Sequence, residues 1–241
     1  MDYFQRVRKS EVSRFRKTVV SFFLKGVIRI LCKIDCSEYI AALSNNKPMI
    51  VIFNHINFLE VPVLVAFSYP VHVTGLVKYE TWKNPFMAFL FNTYSAVPID
   101  RRGAFSDSFK RMRKAIDNGF YMCIAPEGTR SKNGILGKGK PGIIQLAMEA
   151  NVPILPVVHY GGEHIWKNIK HMRRTPFYMR AGRPFRINFE GRPGREDREK
   201  IMCEVMGQMA RLLPEQMRGE YTHAVSAAQN TESGCKYLDF L

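Results

Sequence analysis

The sequence predicts an α/β fold: a mixed, largely parallel sheet flanked by helices, preceded by an amphipathic helical segment. Three observations carry that reading. Short apolar runs alternate with stretches whose apolar residues recur at helical spacing, the pattern of strands joined by crossover helices. The chain is 46% hydrophobic and 24% charged, a globular balance that excludes a disordered or collagen-like polymer. Its 241 residues suffice for one sizeable core, so a single main domain is expected.

Taken in order, residues 3–34 read as helix, because Phe15, Val19, Phe22, Phe23, Val27, Ile30 and Leu31 recur at helical spacing. Arg14, Lys17, Lys25 and Arg29 interleave on other faces, and Gly26 marks a bend. A helix lying in a membrane interface has this composition, and so does a surface helix packed on its own domain. A turn follows around Ser44–Pro48. Residues 49–53 (MIVIF), 71–77 (VHVTGLV), 120–125 (FYMCIA) and 154–158 (ILPVV) are strands by their apolar runs. Asp107–Asn118 is a helix that Ser106 can cap, with Phe109, Met112 and Ile116 on one face and Gly119 at its end. Residues 142–150 form another, stopped by Asn151 before Pro153. Residues 177–189 predict a late strand pair with a basic outer face. Residues 195–213 predict a final helix with Ile201, Met202, Val205, Met209 and Leu212 inward. From 219 to 241 a flexible tail is expected.

The formal charge of +15 is concentrated in two blocks. Residues 1–33 hold nine lysines and arginines against Asp2 and Glu11, and residues 165–200 hold eleven against four acids. Such blocks attract polyanions, so nucleic acid, an anionic membrane surface and acidic cofactors are the candidate partners. No nucleic-acid reading module is present, and no nucleic-acid partner is expected. The N-terminus lacks a compact apolar core followed by a small-residue cleavage site, so no signal peptide is expected. The longest uncharged stretch near the middle, 84–99, is too short and too polar to span a bilayer. The five cysteines (Cys32, Cys36, Cys123, Cys203, Cys235) have neither zinc spacing nor an even disulfide framework, which fits a reducing compartment.

Two short stretches carry chemistry. In NHINFLE (54–60), His55 leaves an apolar strand just before Asn57, a plausible helix cap, and Glu60 falls on the following first turn. A carboxylate there can fix one ring nitrogen and leave the other to take a proton from a hydroxyl. By itself a His-x4-Glu spacing is more often structural than catalytic. In PEGTRS (126–131), Gly128 permits close backbone approach, Thr129 offers a hydroxyl and Arg130 can hold a phosphate bidentately. If the strands before them are parallel, both stretches emerge at one sheet edge. VPIDRR (97–102) brings Arg101 and Arg102 to another strand exit. HYGGEH (159–164) with His171 offers a His-x4-His spacing, but it has no helical register and no metal is expected there.

Read together, these stretches resemble the 1-acylglycerol-3-phosphate acyltransferases, or lysophospholipid acyltransferases. That family shows an NHxxxxD block, a block ending in (I/V)DR, a PEGTRS block and a VPIxPV block, in that order. Here they stand as NHINFLE, VPIDRR, PEGTRS and VPILPVV (152–158), within roughly residues 40–190. The resemblance implies transfer of a fatty acyl chain to the free hydroxyl of lysophosphatidic acid, giving phosphatidic acid. The implied donor is a thioester, acyl-CoA or acyl-acyl carrier protein, with no other cofactor. On matching positions His55 is the general base and Glu60 its orienting acid. Glu127, Gly128, Thr129 and Arg130 form the acceptor site, and Arg101 assists phosphate binding. Residues 1–40 then serve as a membrane-surface helical segment and 41–218 as the acyltransferase domain, peripheral or monotopic on the cytoplasmic face. The alternatives are another lysophospholipid or small acceptor, or a non-catalytic relative that binds membranes or polyanions. One departure stands out: the family's usual acid is aspartate, and Glu60 is longer by a methylene.

Overall fold

The run Ile50-Val51-Ile52-Phe53 is buried at every position, so it needs cover on both faces. A computed structural model, describing residues 4, 11–43, 47–99, 105–131, 133–227 and 234–241, shows how that cover is built. The strands are β1 (Cys32–Asp35), β2 (Ile50–Phe53), β3 (Val73–Lys78), β4 (Val97–Ile99), β5 (Tyr121–Ile124), β6 (Ile154–Tyr160), β7 (Thr175–Ala181), β8 (Phe185–Ile187) and β9 (Leu238–Phe240). They form one sheet in the order β1-β7-β6-β2-β5-β3-β4, with β8 joined to β6 and β9 to β8. From β6 through β2, β5 and β3 to β4 all pairs are parallel. The pairs β6–β7, β6–β8 and β8–β9 are antiparallel, and β1 runs parallel to β7. The sheet is therefore mixed and largely parallel, as expected.

The helices are α1 (Glu11–Leu31), α2 (Ser37–Ala42), α3 (Glu60–Ser68), α4 (Pro85–Thr93), α5 (Phe105–Asp117), α6 (Gly142–Ala150), α7 (Ile165–Lys170), α8 (Arg195–Leu212) and α9 (Thr222–Ala227). Alternate residues of each central strand feed two separate cores. Ile50, Ile52, Met122 and Ile154 pack with Ile116 of α5, Ile144 of α6 and Val205 of α8. Val51, Phe53, Cys123 and Leu155 pack with Ile28 of α1, Tyr39 of α2 and Leu64 of α3. Cys123 is a free thiol whose ionisation burial pushes well up, so it behaves as a small hydrophobe.

Several local expectations are corrected. Helix α1 ends at Leu31, and Cys32–Asp35 is a strand whose register runs from Cys32 opposite Thr175 to Asp35 opposite Tyr178. Cys32-Lys33-Ile34-Asp35 does alternate apolar and polar, but four residues directly after a helix are too short a run to read as a strand, and pairing with β7 settles their state. Residues 85–93 form a helix capped by Asn84, whose Oδ1 accepts the N–H groups of Phe86 and Met87. Helix α5 starts at Phe105, which places Ser106 inside its first turn rather than before it. The outer face of the late strands is less basic than the sequence suggests: Arg180 pairs with Asp35 at 2.7 Å and Glu38 at 3.5 Å. The expected loose tail is partly built into the fold. Leu238–Phe240 pairs with β8, and Phe240 meets Phe185 with ring centroids 5.8 Å apart.

The sequence left open which way α1 faces. Phe15, Phe22, Phe23 and Ile30 are 73%, 82%, 66% and 72% exposed, while Ser13, Lys17, Ser21 and Ile28 are buried. The N-terminal half of the helix docks through polar side chains, and its C-terminal half through Leu24, Ile28 and Leu31. Ser21 Oγ meets the Tyr94 hydroxyl at 2.8 Å, and Thr18 Oγ1 meets that of Tyr69 at 2.5 Å. Lys17 Nζ lies 5.4 Å from the Phe120 ring centroid. Burial, with Arg16 beside it, pushes the Lys17 ammonium down to about 8. Among the described residues no helix is long and apolar enough to cross a membrane.

Candidate active site

Because β2, β5 and β6 are parallel neighbours, their C-terminal ends open on one edge of the sheet, the side where such folds build ligand crevices. β2 runs out into Asn54 and His55, and β5 into Ala125, Pro126 and Glu127. Asn54 is buried, and its amide extends the ladder: Nδ2 donates to the His159 carbonyl at 2.9 Å, and Oδ1 accepts the His159 N–H at 2.8 Å. That double bond pins the base of the His55 loop to β6.

His55 is held at three points. Its N–H donates to Glu127 Oε1 at 2.9 Å, its carbonyl accepts the Ser131 N–H at 2.7 Å, and its ring Nδ1 bonds to Glu60 Oε1. Glu60 opens α3 and so stands on its first turn, as expected, but the residue at the cap is Leu59, two positions after Asn57. Asn57 instead accepts the Leu59 N–H through its side chain at 2.8 Å. Glu60 itself stays wholly buried and turns back over the loop. Its Oε2 accepts the N–H groups of Asn57 at 2.8 Å and Ile56 at 3.2 Å, and His159 Nε2 lies 3.0 Å away.

Burial alone would raise the pKa of Glu60. Hydrogen bonds from His159 and His55 outweigh it and bring the carboxyl from an ordinary 4.5 down to about 2. The stability this contributes is fully present above about pH 4.5 and is lost as pH falls towards about 2. Urea midpoints of wild type are therefore expected to fall between about pH 5 and about pH 3, and less so for Glu60→Gln. Equal slopes for the two proteins would show that Glu60 carries no such coupling.

Glu127 does more than its place in PEGTRS suggests. Oε1 holds the His55 amide and Oε2 accepts the Gly137 N–H at 2.9 Å, so one buried carboxylate ties the two loops together. Burial raises its pKa, and those two amides partly offset the rise. Gly128 sits at φ +69°, and an added Cβ would stand 2.9 Å from Lys140 Nζ. Gly128→Ala is expected to cost about 1–2 kcal/mol from the left-handed backbone alone, read as a lower midpoint in denaturant. An unchanged midpoint would mean the loop relaxes freely. Thr129 and Arg130 are exposed. Thr129 lines a cavity of about 320 Å³ with Glu127, Ser131, Asn133, Leu136 and Lys138. Arg101 and Arg102 lie outside the described residues. Phe58, on the same loop as His55, stacks on Trp166 with centroids 4.9 Å apart, and both stand open to solvent.

The structure thus joins His55, Glu60 and Glu127 directly and sets Gly128, Thr129 and Arg130 on the adjoining loop. The sequence reading missed Asn54, Gly137 and His159. His159 stood in it as part of a metal-like spacing; among the described residues no group of three or more His, Cys, Asp or Glu side chains is placed to hold a metal ion. A signal for its true partner existed in the register. Phe53 pairs with Val157, so two residues on, His55 and His159 come level.

Residues 33–160, more than half of the chain, match the Acyltransferase family model. The chain belongs to the Acyltransferase family. The matched segment runs from β1 to the end of β6 and so contains His55, Glu60, PEGTRS and His159. A 1-acyl-sn-glycerol-3-phosphate acyltransferase of Cocos nucifera is 30% identical over 148 residues, 60% of this chain and 48% of that protein. One from Pseudomonas aeruginosa is 29% identical over 121 residues, 49% of this chain and 46% of that protein. The chain spans about half the length of these curated relatives. The crystal structure of the 1-acyl-sn-glycerophosphate (LPA) acyltransferase PlsC from Thermotoga maritima superposes with a TM-score of 0.60 at 19% identity, covering 89% of this chain and 80% of that one. At that identity the likeness bears on the fold of this Acyltransferase chain alone.

Proposed function

We propose that this Acyltransferase chain moves a fatty acyl group from an acyl thioester to the free hydroxyl of lysophosphatidic acid, giving phosphatidic acid, at an anionic membrane surface. The observation that carries the reading is the buried carboxylate of Glu60 on Nδ1 of a half-buried His55 facing the PEGTRS loop. With its pKa held at about 2, Glu60 is a carboxylate at neutral pH and can only accept. Nδ1 therefore carries the proton, and Nε2 keeps a lone pair for the acceptor hydroxyl.

As Nε2 takes that proton, the hydroxyl oxygen bonds to the thioester carbonyl carbon. Collapse of the tetrahedral intermediate breaks the C–S bond, and the thiolate recovers the proton from His55. The products are an ester and a free thiol. No side chain of the protein need form a covalent intermediate. Arg130, with Gly128 and Thr129 beside it, supplies the charge and close backbone approach that a phosphate needs. The names carried by the relatives from Cocos nucifera and Pseudomonas aeruginosa agree with lysophosphatidic acid as acceptor.

Two features support membrane contact. The outward apolar face of α1 is left exposed by the described residues, and Arg14, Lys25 and Arg29 flank it, the composition of an interfacial helix. The exposed cations Lys167, Lys170, Arg173 and Arg174 suit either anionic headgroups or a polyanionic donor, coenzyme A or acyl carrier protein. The cytoplasmic leaflet, where such donors are made, is the proposed location.

The test is free-thiol release with acyl-CoA or acyl-acyl carrier protein against a panel of lysolipids. Turnover is expected with lysophosphatidic acid as the best acceptor, and Glu60→Gln is expected to lower kcat. Thiol release from no donor with any acceptor would favour a binding-only protein. Undiminished kcat in Glu60→Gln would remove Glu60 from the mechanism.

A further inference from the structure

We propose that His159 is a positioning residue for Glu60, and that its ring N–H is what allows a glutamate to orient His55. The inference rests on the reading of His55 as the base and extends it to a residue outside the four sequence blocks.

His159 Nε2 lies 2.7 Å from the Asn54 carbonyl and 3.0 Å from Glu60 Oε2. Both are acceptors, so Nε2 carries a proton and shares it between them. The ring has little freedom to do otherwise. It is 1% exposed, and it stacks on Phe177 with centroids 5.4 Å apart and planes 5° from parallel. Its backbone N–H and carbonyl are both bonded to the Asn54 amide. A rigid donor thus reaches the far oxygen of the carboxylate whose near oxygen holds His55.

This arrangement answers the extra torsion of glutamate. Compared with aspartate, one more rotatable bond must be fixed before the carboxylate can fix an imidazole. Ile56 N–H, Asn57 N–H and His159 Nε2–H converge on Oε2, which leaves Oε1 aimed at His55. Of these three donors only His159 comes from outside the loop, so only it ties the carboxylate to the sheet. An aspartate at position 60 would withdraw both oxygens by about 1.5 Å, one carbon–carbon bond, and lose the contact with His159. The glutamate and the second histidine therefore work as a pair. The ionisable groups facing Glu60 are His55 from the β2 exit, His159 from β6 and, acting through its charge, Glu127 from the β5 exit.

The experiment compares three variants in the thiol-release assay and follows the Glu60 carboxyl carbon by NMR through an acid titration. His159→Phe keeps the ring and its stacking but has no N–H. His159→Gln keeps a donor near the position of Nε2, and His159→Asn falls short of Glu60 by one methylene. For His159→Phe, kcat is expected to fall about 10-fold with KM within about twofold, because the base is misaimed while the acceptor loop is untouched. Its Glu60 midpoint should rise, and His159→Gln should restore most of both quantities. In a Glu60→Asp background the same Phe substitution should change kcat by less than about twofold.

Wild-type kcat and an unmoved Glu60 midpoint in folded His159→Phe would overturn the proposal. If that variant does not fold, equal kcat for the Gln and Asn variants would overturn it instead. A wild type with no turnover, alongside a raised Glu60 midpoint in His159→Phe, would overturn the acyltransferase reading and uphold the His159–Glu60 contact.

Discussion

His55→Ala is expected to lower kcat for thiol release by about 10²–10⁴-fold, the contribution of a well-placed general base. The fold should survive the change. The His55 side chain is 26% exposed, and its removal deletes one bond to Glu60. Glu60 keeps the N–H groups of Ile56 and Asn57 and the ring of His159, so its charge stays partnered. Loss of one hydrogen bond to a buried group costs about 1–3 kcal/mol, or a few degrees in Tm for a domain of this size. A kcat collapse with a small Tm shift is thus the signature of a catalytic group. Full turnover by a folded His55→Ala protein would remove the proposed mechanism, and unfolding would mark His55 as structural.

The second large effect concerns α1. Replacing Phe22 and Phe23 together by serine is expected to weaken partitioning onto anionic vesicles by about 10²–10⁴-fold, since each inserted phenylalanine contributes about 1.5–3 kcal/mol. Co-sedimentation with liposomes reads the change directly. The unfolding midpoint of the protein free in solution should stay put, because both rings already face water. Were this face packed on the domain, the same pair would cost stability and leave vesicle binding alone; that opposite result would overturn the interfacial reading. Salt should weaken binding only in part. Lys25 and Arg29 lie over the Phe67 ring at 5.7 Å and 5.5 Å, which draws their charges back toward the domain.

The site was legible where chemistry and order along the chain coincide. His55 and PEGTRS each follow an apolar strand, and parallel strands deliver such exits to one edge. Glu60 stood near enough in sequence to fold back, and it does. The rest depended on partners far away in the chain. Glu127 reads as a ligand-facing acid, yet each of its oxygens takes a backbone amide, one 72 residues away and one 10. His159 looked like half of a metal spacing because nothing local shows that Asn54, 105 residues earlier, holds its backbone. Cys32–Asp35 became a strand through β7, and Leu238–Phe240 through β8: their alternation is too short to stand alone, and their partners lie far off in the chain.

The sequence by itself determined the alternation of strands and helices, the four blocks in order, the spacing of His55 and Glu60, and the unequal spread of charge. These follow from residue type and short-range spacing, which are local quantities. The tertiary structure alone decided which side of α1 meets the domain. Periodicity shows that a helix has an apolar face, but not whether protein or lipid is to cover it. It also decided how a longer acid can hold the imidazole: the parallel register of β2 and β6 brings a second histidine level with the first, and the carboxylate of Glu60 spans the two.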